Sequence, residues 1–246
     1  MNPVTELLRA HRSIRKFSDE AVDDNTVTEI VACAQAAATS SNVQATTVIR
    51  IRDAARREQL AGLAGGQSYV ASSAVFLVFC ADLNRTRLAC GLQDTDMVEG
   101  MTEHFMIATI DVALAAQNAV IAAESLGLGI CYIGGLRNNP AAVSDLLSLP
   151  DQVYPVFGLC LGHPAQDPEV KPRLATTAVL MEEQYRDDDA TRESIKAYDA
   201  QLRTYYRTRT GGTKDSSWSE EMAALVGKES RPHMQGFLHD RGMAKR

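Results

Sequence analysis

Residues 102–126 carry the longest helical signal in the chain, and their apolar side chains do not form a single stripe. Phe105, Ile107, Ile110, Val112, Leu114, Val120, Ile121 and Leu126 surround the helix axis. A helix apolar on all sides belongs in a core or at a subunit interface, so the rest of the chain has to be arranged around it. Gly127 supplies the stop. The unbroken run at 74–81 (AVFLVFCA) makes a second demand, because a strand with two apolar faces has to be covered on both. With 45% hydrophobic and 23% charged residues, a chain of 246 residues can bury a sizeable core, and whole-chain disorder is excluded.

Other segments fill in the architecture. TTVIRI (46–51), LGICYI (128–133) and VYPVFGLCLG (153–162) read as strands, with Pro155 placing its end of the last one at an edge or a bulge. Asn2 before Pro3 and Asn139 before Pro140 have the form of a helix cap followed by proline at the first helical position. Asp24 caps a helix carrying Val27, Ile30, Val31 and Ala34, and residues 53–63 form another, ended by Gly65 and Gly66. After Arg173 the composition changes. EEQYRDDD (182–189) reads as an exposed connector, followed by a helix at 190–206 with Ile195, Tyr198, Leu202 and Tyr205 on one face. Trp218, Met222 and Leu225 mark a further helix, and Pro232 opens a final one. The expected fold is an α+β core over residues 1–180, with a central mixed sheet flanked by helices, and a helical C-terminal extension over 181–246.

Several chemistries are excluded. The chain has 25 basic against 31 acidic residues, a net charge of −6, with no basic domain of the kind a duplex-binding protein needs. The five cysteines are odd in number and never spaced as CxxC, so neither a disulfide framework nor a metal site is expected. The five histidines are scattered, with no HExxH, and there is no GxSxG, no GxGxxG after a strand and no P-loop. The N-terminal segment lacks the pattern of a signal peptide. The uncharged stretch 61–81 holds Gly62, Gly65, Gly66, Gln67 and Ser72 in its first half, too polar to span a bilayer. A cytoplasmic protein without nucleic-acid or membrane partners is expected.

What remains is a set of local clusters. Arg9, Arg12, Arg15 and Lys16 crowd around His11 and Ser13. Arginine forks and a serine hydroxyl suit phosphate oxygens or a delocalised anion, although the same residues also make a solvated basic turn. Lys171-Pro172-Arg173 is a second cationic group held by a stiff backbone. Thr39-Ser40-Ser41-Asn42-Val43-Gln44 offers uncharged hydrogen-bonding groups for a heterocycle or a polyol, or for its own turns. Double glycines at 65–66 and 134–135 let the backbone approach a flat ligand, or simply turn the chain. Between Arg192 and Arg209 five bases face two acids.

Taken in order, HRSIRKF (11–17), TSSNVQ (39–44), GGQ (65–67), YIGGLRN (132–138) and KPRL (171–174) resemble the bacterial nitroreductase family. Within it they are most similar to the NADPH-dependent, oxygen-insensitive major nitroreductases and NADPH–flavin oxidoreductases. The resemblance runs through ESLGLG (124–129), GLCLG (158–162), YYRTR (205–209) and KESRP (228–232), essentially the whole chain. It implies an α+β sandwich homodimer with non-covalent FMN at the subunit interface and NADPH as hydride donor. His11, Arg12, Ser13, Lys171 and Arg173 would then surround the FMN phosphate and ribityl end. Arg15 would face the pyrimidine side of the flavin and stabilise charge there, with no side-chain nucleophile required. Thr39, Gln44, Gln67 and Tyr69 would complete the pocket, some of them from the partner subunit, and the backbone of Ile133, Gly134 and Gly135 would lie near N5. Arg209, Lys214 and Arg231 would hold the NADPH phosphates, with Arg137 touching nucleotide or substrate. Thr39 stands where this group often has serine, and Lys214 where it often has arginine. The implied activity is two-electron reduction of nitroaromatics and quinones by ping-pong hydride transfer. The alternatives are an NADPH-dependent flavin reductase releasing free reduced flavin and a non-catalytic flavin-binding protein.

Overall fold

Four strands, β1 (Thr46–Ile51), β2 (Val75–Asp82), β3 (Gly129–Ile133) and β4 (Val153–Gly162), form one sheet in the order β1-β2-β4-β3. The structure is a computed structural model that describes residues 2–186 and 189–246. Asp187 and Asp188 of the expected acidic connector lie outside the described residues. The chain forms two compact units, one of Met1–Asp167 with Arg231–Arg246 and one of Pro168–Ser230.

In the first unit, every residue of β2 is buried, as its composition requires. Its side chains alternate between two cores. Val75, Leu77, Phe79 and Ala81 join one cluster, and Phe76, Val78 and Cys80 join the other. The expected mixed sheet is corrected in one respect: all three pairings of the named strands are antiparallel. The parallel element is a single bridge between Ser13 and Ile130. Residues 11–17 run beside β3 for that one pairing and then leave it to bridge Phe17 to Pro164. Pro155 sits within a central strand rather than an edge. There the register passes from Phe79–Phe157 to Cys80–Pro155, so Val156 is the additional residue of a β-bulge. The bulge accommodates the proline's missing N–H.

Helix α1 (Pro3–Arg9) starts at a capping box in which Asn2 Oδ1 accepts from the Thr5 N–H at 2.9 Å. Helix α2 (Asp24–Gln35) is capped one residue earlier than expected. Asp23 accepts from the Thr26 N–H at 2.9 Å, while Asp24 ion-pairs with Arg50 at 2.7 Å and Arg52 at 2.9 Å. Helix α3 (Ala54–Leu63) follows β1, capped by Asp53. Helices α4 (Tyr69–Ser72) and α5 (Asn84–Gly91) left no clear sequence signal; α4 is a single turn, and α5 buries none of its residues.

Helix α6 (Thr102–Ser125) is the helix whose apolar residues surround its axis. It buries Ala108, Val112, Ala115, Ala116, Ala119, Val120 and Ala123, with Asp111 buried among them. By length and composition alone it is long and apolar enough to cross a membrane. Met106, Ile110 and Leu114 form a stripe at i, i+4 and i+8 that remains about half exposed. Helix α7 (Pro140–Leu146) has the expected Asn139 cap. The chain returns to this unit through α10 (Met234–Asp240), which puts Phe237 into the first core cluster, and Met243 just after the helix joins it.

The second unit is helical. In α8 (Asp189–Arg209), Tyr198, Leu202, Tyr205 and Tyr206 are buried and pack with Leu174 and with Trp218 of α9 (Trp218–Val226). A Ser217–Glu220 capping box starts α9.

Gly158 of β4 lies under the Phe76 ring, where an added Cβ would come within 2.6 Å of Cε2. Overpacking of this kind costs about 1–3 kcal/mol, so Gly158→Ala should lower the urea midpoint at an unchanged slope. Gly62, in α3, has nothing within 4 Å of its added Cβ. Gly62→Ala should therefore be neutral or stabilising by up to about 1 kcal/mol.

Candidate functional site

The basic segment 11–17 is fixed by one buried side chain. Ile14 is 4% exposed, and its N–H donates to Ile130 O at 2.8 Å. It sits over Gly129, where an added Cβ would lie 2.7 Å from Ile14 Cγ1, so the strand needs glycine there. Burial of Ile14 leaves its neighbour Arg15 exposed, with its guanidinium near enough to the Tyr69 hydroxyl to favour that group's ionised form. Tyr69 in turn donates to Gln67 Oε1 at 2.7 Å, and Gln67 Nε2 donates to Ala64 O at 2.9 Å. Gly135 is pressed onto this row: a Cβ there would overlap the Ala64 carbonyl and reach 2.7 Å from Gln67 Nε2. The structure thus brings Arg15, Gln67, Tyr69 and the Ile133–Gly135 backbone together. Burial pushes the Tyr69 hydroxyl above its ordinary pKa, and Arg15 works against that shift.

His11 and Arg12 are held by carboxylates. His11 Nδ1 pairs with Glu124 Oε1 at 2.6 Å. Arg12 donates to Asp167 at 2.5 Å and to Ala10 O at 3.1 Å, while its Nε is buried without a partner. Arg12, Glu124, Gly127, Gly129 and Asp167 line a cavity of about 540 Å³. The sequence reading passed over Glu124 as a side chain, although its place in ESLGLG marked the position.

Thr39 and Gln44 line a different cavity, of about 460 Å³, with Thr46, Thr47 and Arg85. Their loop is strained. Ser41, Asn42 and Gln44 have φ of 47°, 58° and 54°, and each left-handed non-glycine costs roughly 1 kcal/mol or more. Asp111 holds the loop at two points, accepting from Ser40 N at 3.2 Å and Ala45 N at 3.0 Å. Arg85 donates to Gln44 O at 3.2 Å and Thr46 O at 3.1 Å. Asp111 is not a candidate from the sequence either; the available signal is that it is the one charged residue between Phe105 and Ala123.

Past the glycines, Arg137 turns inward and Nη1 donates to Val156 O at 2.5 Å, taking the carbonyl displaced by the bulge. Burial lowers its pKa, with a further push from the Arg231 charge. Arg231 donates to Asn138 Oδ1 from Nε at 3.0 Å and Nη2 at 2.9 Å. Two of the four candidate nucleotide-contacting residues therefore meet around the 134–138 turn of the first unit.

The other two lie in the second unit beside Lys171. Lys171 Nζ donates to the Tyr206 hydroxyl at 2.8 Å, and Lys214 Nζ stands 4.0 Å from the same ring's centroid. Arg209 donates to the Tyr205 hydroxyl at 3.1 Å. Arg173 donates to Lys171 O at 2.7 Å, and Tyr198 donates to Pro172 O at 2.9 Å. Most of the local positive charge of α8 is compensated. Arg203 pairs with Asp215 at 2.8 Å and Glu220 at 2.7 Å, Arg207 with Asp215 at 2.6 Å, Lys196 with Glu193 at 2.7 Å and Arg192 with Asp189 at 3.2 Å. Among the described residues, Arg209 is the one of the five bases without a carboxylate partner.

The family model described as "Nitroreductase family" matches residues 8–163, and "Nitroreductase family, C-terminal domain" matches 171–246. The chain is 46% identical over 246 residues to the oxygen-insensitive NADPH nitroreductase of Salmonella typhimurium, covering 100% of both chains. It is 42% identical over 249 residues to the FMN reductase (NADPH) of Bacillus subtilis, again over 100% of both. Among solved structures, it is similar to the NADPH:FMN oxidoreductase from Vibrio harveyi complexed with NAD+, with a TM-score of 0.90 at 41% identity, covering 100% of each chain. With the two family models together matching residues 8–163 and 171–246, this chain belongs to the nitroreductase family.

Proposed function

We propose that this chain is an FMN-dependent NADPH oxidoreductase that reduces nitroaromatics and quinones. The observation that carries the reading is the row Arg15–Tyr69–Gln67 set against Gly135, a cation and two amphipathic hydrogen-bonders facing a backbone with no Cβ. The residues present fit FMN. Arg12 Nε is a buried donor without a protein acceptor, and Arg12 lines the cavity of about 540 Å³. When bound, FMN supplies a two-electron carrier that accepts hydride from NADPH and returns it to an acceptor.

The chain's own residues then have defined tasks. His11, Arg12 and Ser13, with Lys171 and Arg173, supply donors and positive charge for the phosphate and ribityl end. Arg15 places a permanent cation where the reduced pyrimidine ring would gain negative charge, a preorganised electrostatic contribution that needs no side-chain nucleophile. Gln67 and Tyr69 hold Arg15 in place and offer polar atoms to the ring edge, Ile133–Gly135 supply backbone, and Thr39 and Gln44 offer uncharged donors and acceptors. Arg209 and Lys214 serve the NADPH phosphates from the C-terminal segment, with Arg231 and Arg137 at the 134–138 turn. A second reading, release of reduced flavin to another protein, is supported by relatives named for FMN reduction.

The protein acts as a homodimer through α6. A stripe of Met106, Ile110 and Leu114 about half exposed to water is the kind of surface that a second copy covers, and the flavin lies at that interface. The five free cysteines suit a reducing cytoplasm.

Purified protein should be yellow, lose its colour on anaerobic addition of NADPH, and recover it with a nitroaromatic or a quinone. Arg15→Ala should slow the bleaching at least tenfold, and colour that persists after NADPH would sink the proposal in favour of a binding protein. Arg209→Ala should raise the KM for NADPH by about tenfold, as loss of a charge-assisted contact does, and change that for NADH much less. Ile110→Asp should shift the protein towards monomer in sedimentation velocity, with loss of flavin.

A further inference from the structure

Two lysines far apart in sequence share one aromatic ring. Lys171 Nζ lies 5.1 Å from the Tyr206 ring centroid while donating to its hydroxyl at 2.8 Å, and Lys214 Nζ lies 4.0 Å from the same centroid. Tyr206 itself is fixed. It is 7% exposed, projects from the long helix α8 and packs against Tyr205 with centroids 5.6 Å apart. Both ammonium groups are thus gathered at one ring. The ring's negative face attracts a cation, and the Glu221 carboxylate lies 3.0 Å from Lys214 Nζ. The two contacts differ in weight: Lys171 donates to the hydroxyl at 2.8 Å, whereas Lys214 rests chiefly on the face and interacts only weakly with the hydroxyl.

We propose that Tyr206 is a positioning residue for two phosphate-bearing ligands at once, its hydroxyl setting Lys171 for the flavin phosphate and its face setting Lys214 for the nicotinamide nucleotide. The inference rests on the assignment of Lys171 and Lys214 above, and adds a residue that touches neither ligand. Removing the hydroxyl and removing the ring therefore have different consequences.

The test uses full-length holoprotein and three measurements: the FMN dissociation constant by fluorescence, the KM for NADPH at saturating FMN, and the melting temperature. Tyr206→Phe should raise the FMN dissociation constant about fivefold to twentyfold, the loss expected for one hydrogen bond from a charged donor, with the NADPH KM within about twofold. Tyr206→Leu, with Tyr206→Met as a second variant should the leucine fail to fold, should raise both. Lys171→Ala and Lys214→Ala serve as references, the first acting on FMN and the second on NADPH. If either reference leaves its ligand unaffected, the assignment of that lysine falls and the proposal with it. If both references behave as expected but Tyr206→Phe leaves FMN affinity unchanged, or moves both ligands in proportion to a lowered melting temperature, Tyr206 is structural only and the proposal alone is overturned.

Discussion

The fold depends on covering β2 from both sides. A strand whose every residue is buried must have two complete apolar layers, and its alternating side chains feed two separate cores. One layer is built on α6 and α2, the other on α3 and α7. Because neither layer can retreat, the other strands of the sheet have to yield where bulk is excessive. Gly158 makes room for Phe76, Gly129 for Ile14, and the Val156 bulge for Pro155. The candidate site grows from these concessions. The Ile14 contact fixes the strand that carries Arg15, and the carbonyl freed by the bulge holds Arg137.

Electrostatics in the site follow from burial more than from net charge. Tyr132 is pushed up to about 12, chiefly by desolvation, so a neutral phenol lies beside the Glu124 that pairs with His11. Burial also pushes the thiols of Cys80 and Cys160 up to about 12, leaving both as small apolar groups with little nucleophilic character. The polar work falls to groups that need no titration: arginines, amides, hydroxyls and backbone.

Much of this was legible in the sequence where one interaction dominates. β1 and β4 begin and end where their β-branched and apolar runs do, and α6 fills its apolar window. α5 was invisible because it buries nothing and so leaves no periodic trace. Pro155 announced an irregularity, but only the pairing register distinguishes a bulge from an edge. The basic stretch of α8 overstated its positive charge because Asp215 and Glu220, which pair with Arg203 and Arg207, lie beyond the helix. Asp111 illustrates the same limit: its partners are backbone N–H groups at 40 and 45, and no window around residue 111 contains them.

The first unit is discontinuous, since Phe237 and Met243 enter a core whose other members all come before residue 168. During synthesis that core stays short of its last side chains until the ribosome has moved well past the intervening helices. A nascent chain would thus expose an unfinished apolar surface for as long as those sixty or so residues take to make, roughly 3–12 seconds at ordinary elongation rates. Chaperone dependence should consequently track the length of the insertion rather than the size of the sheet, and a circular permutation opened between residues 230 and 231, which makes the returning segment first, would remove that delay.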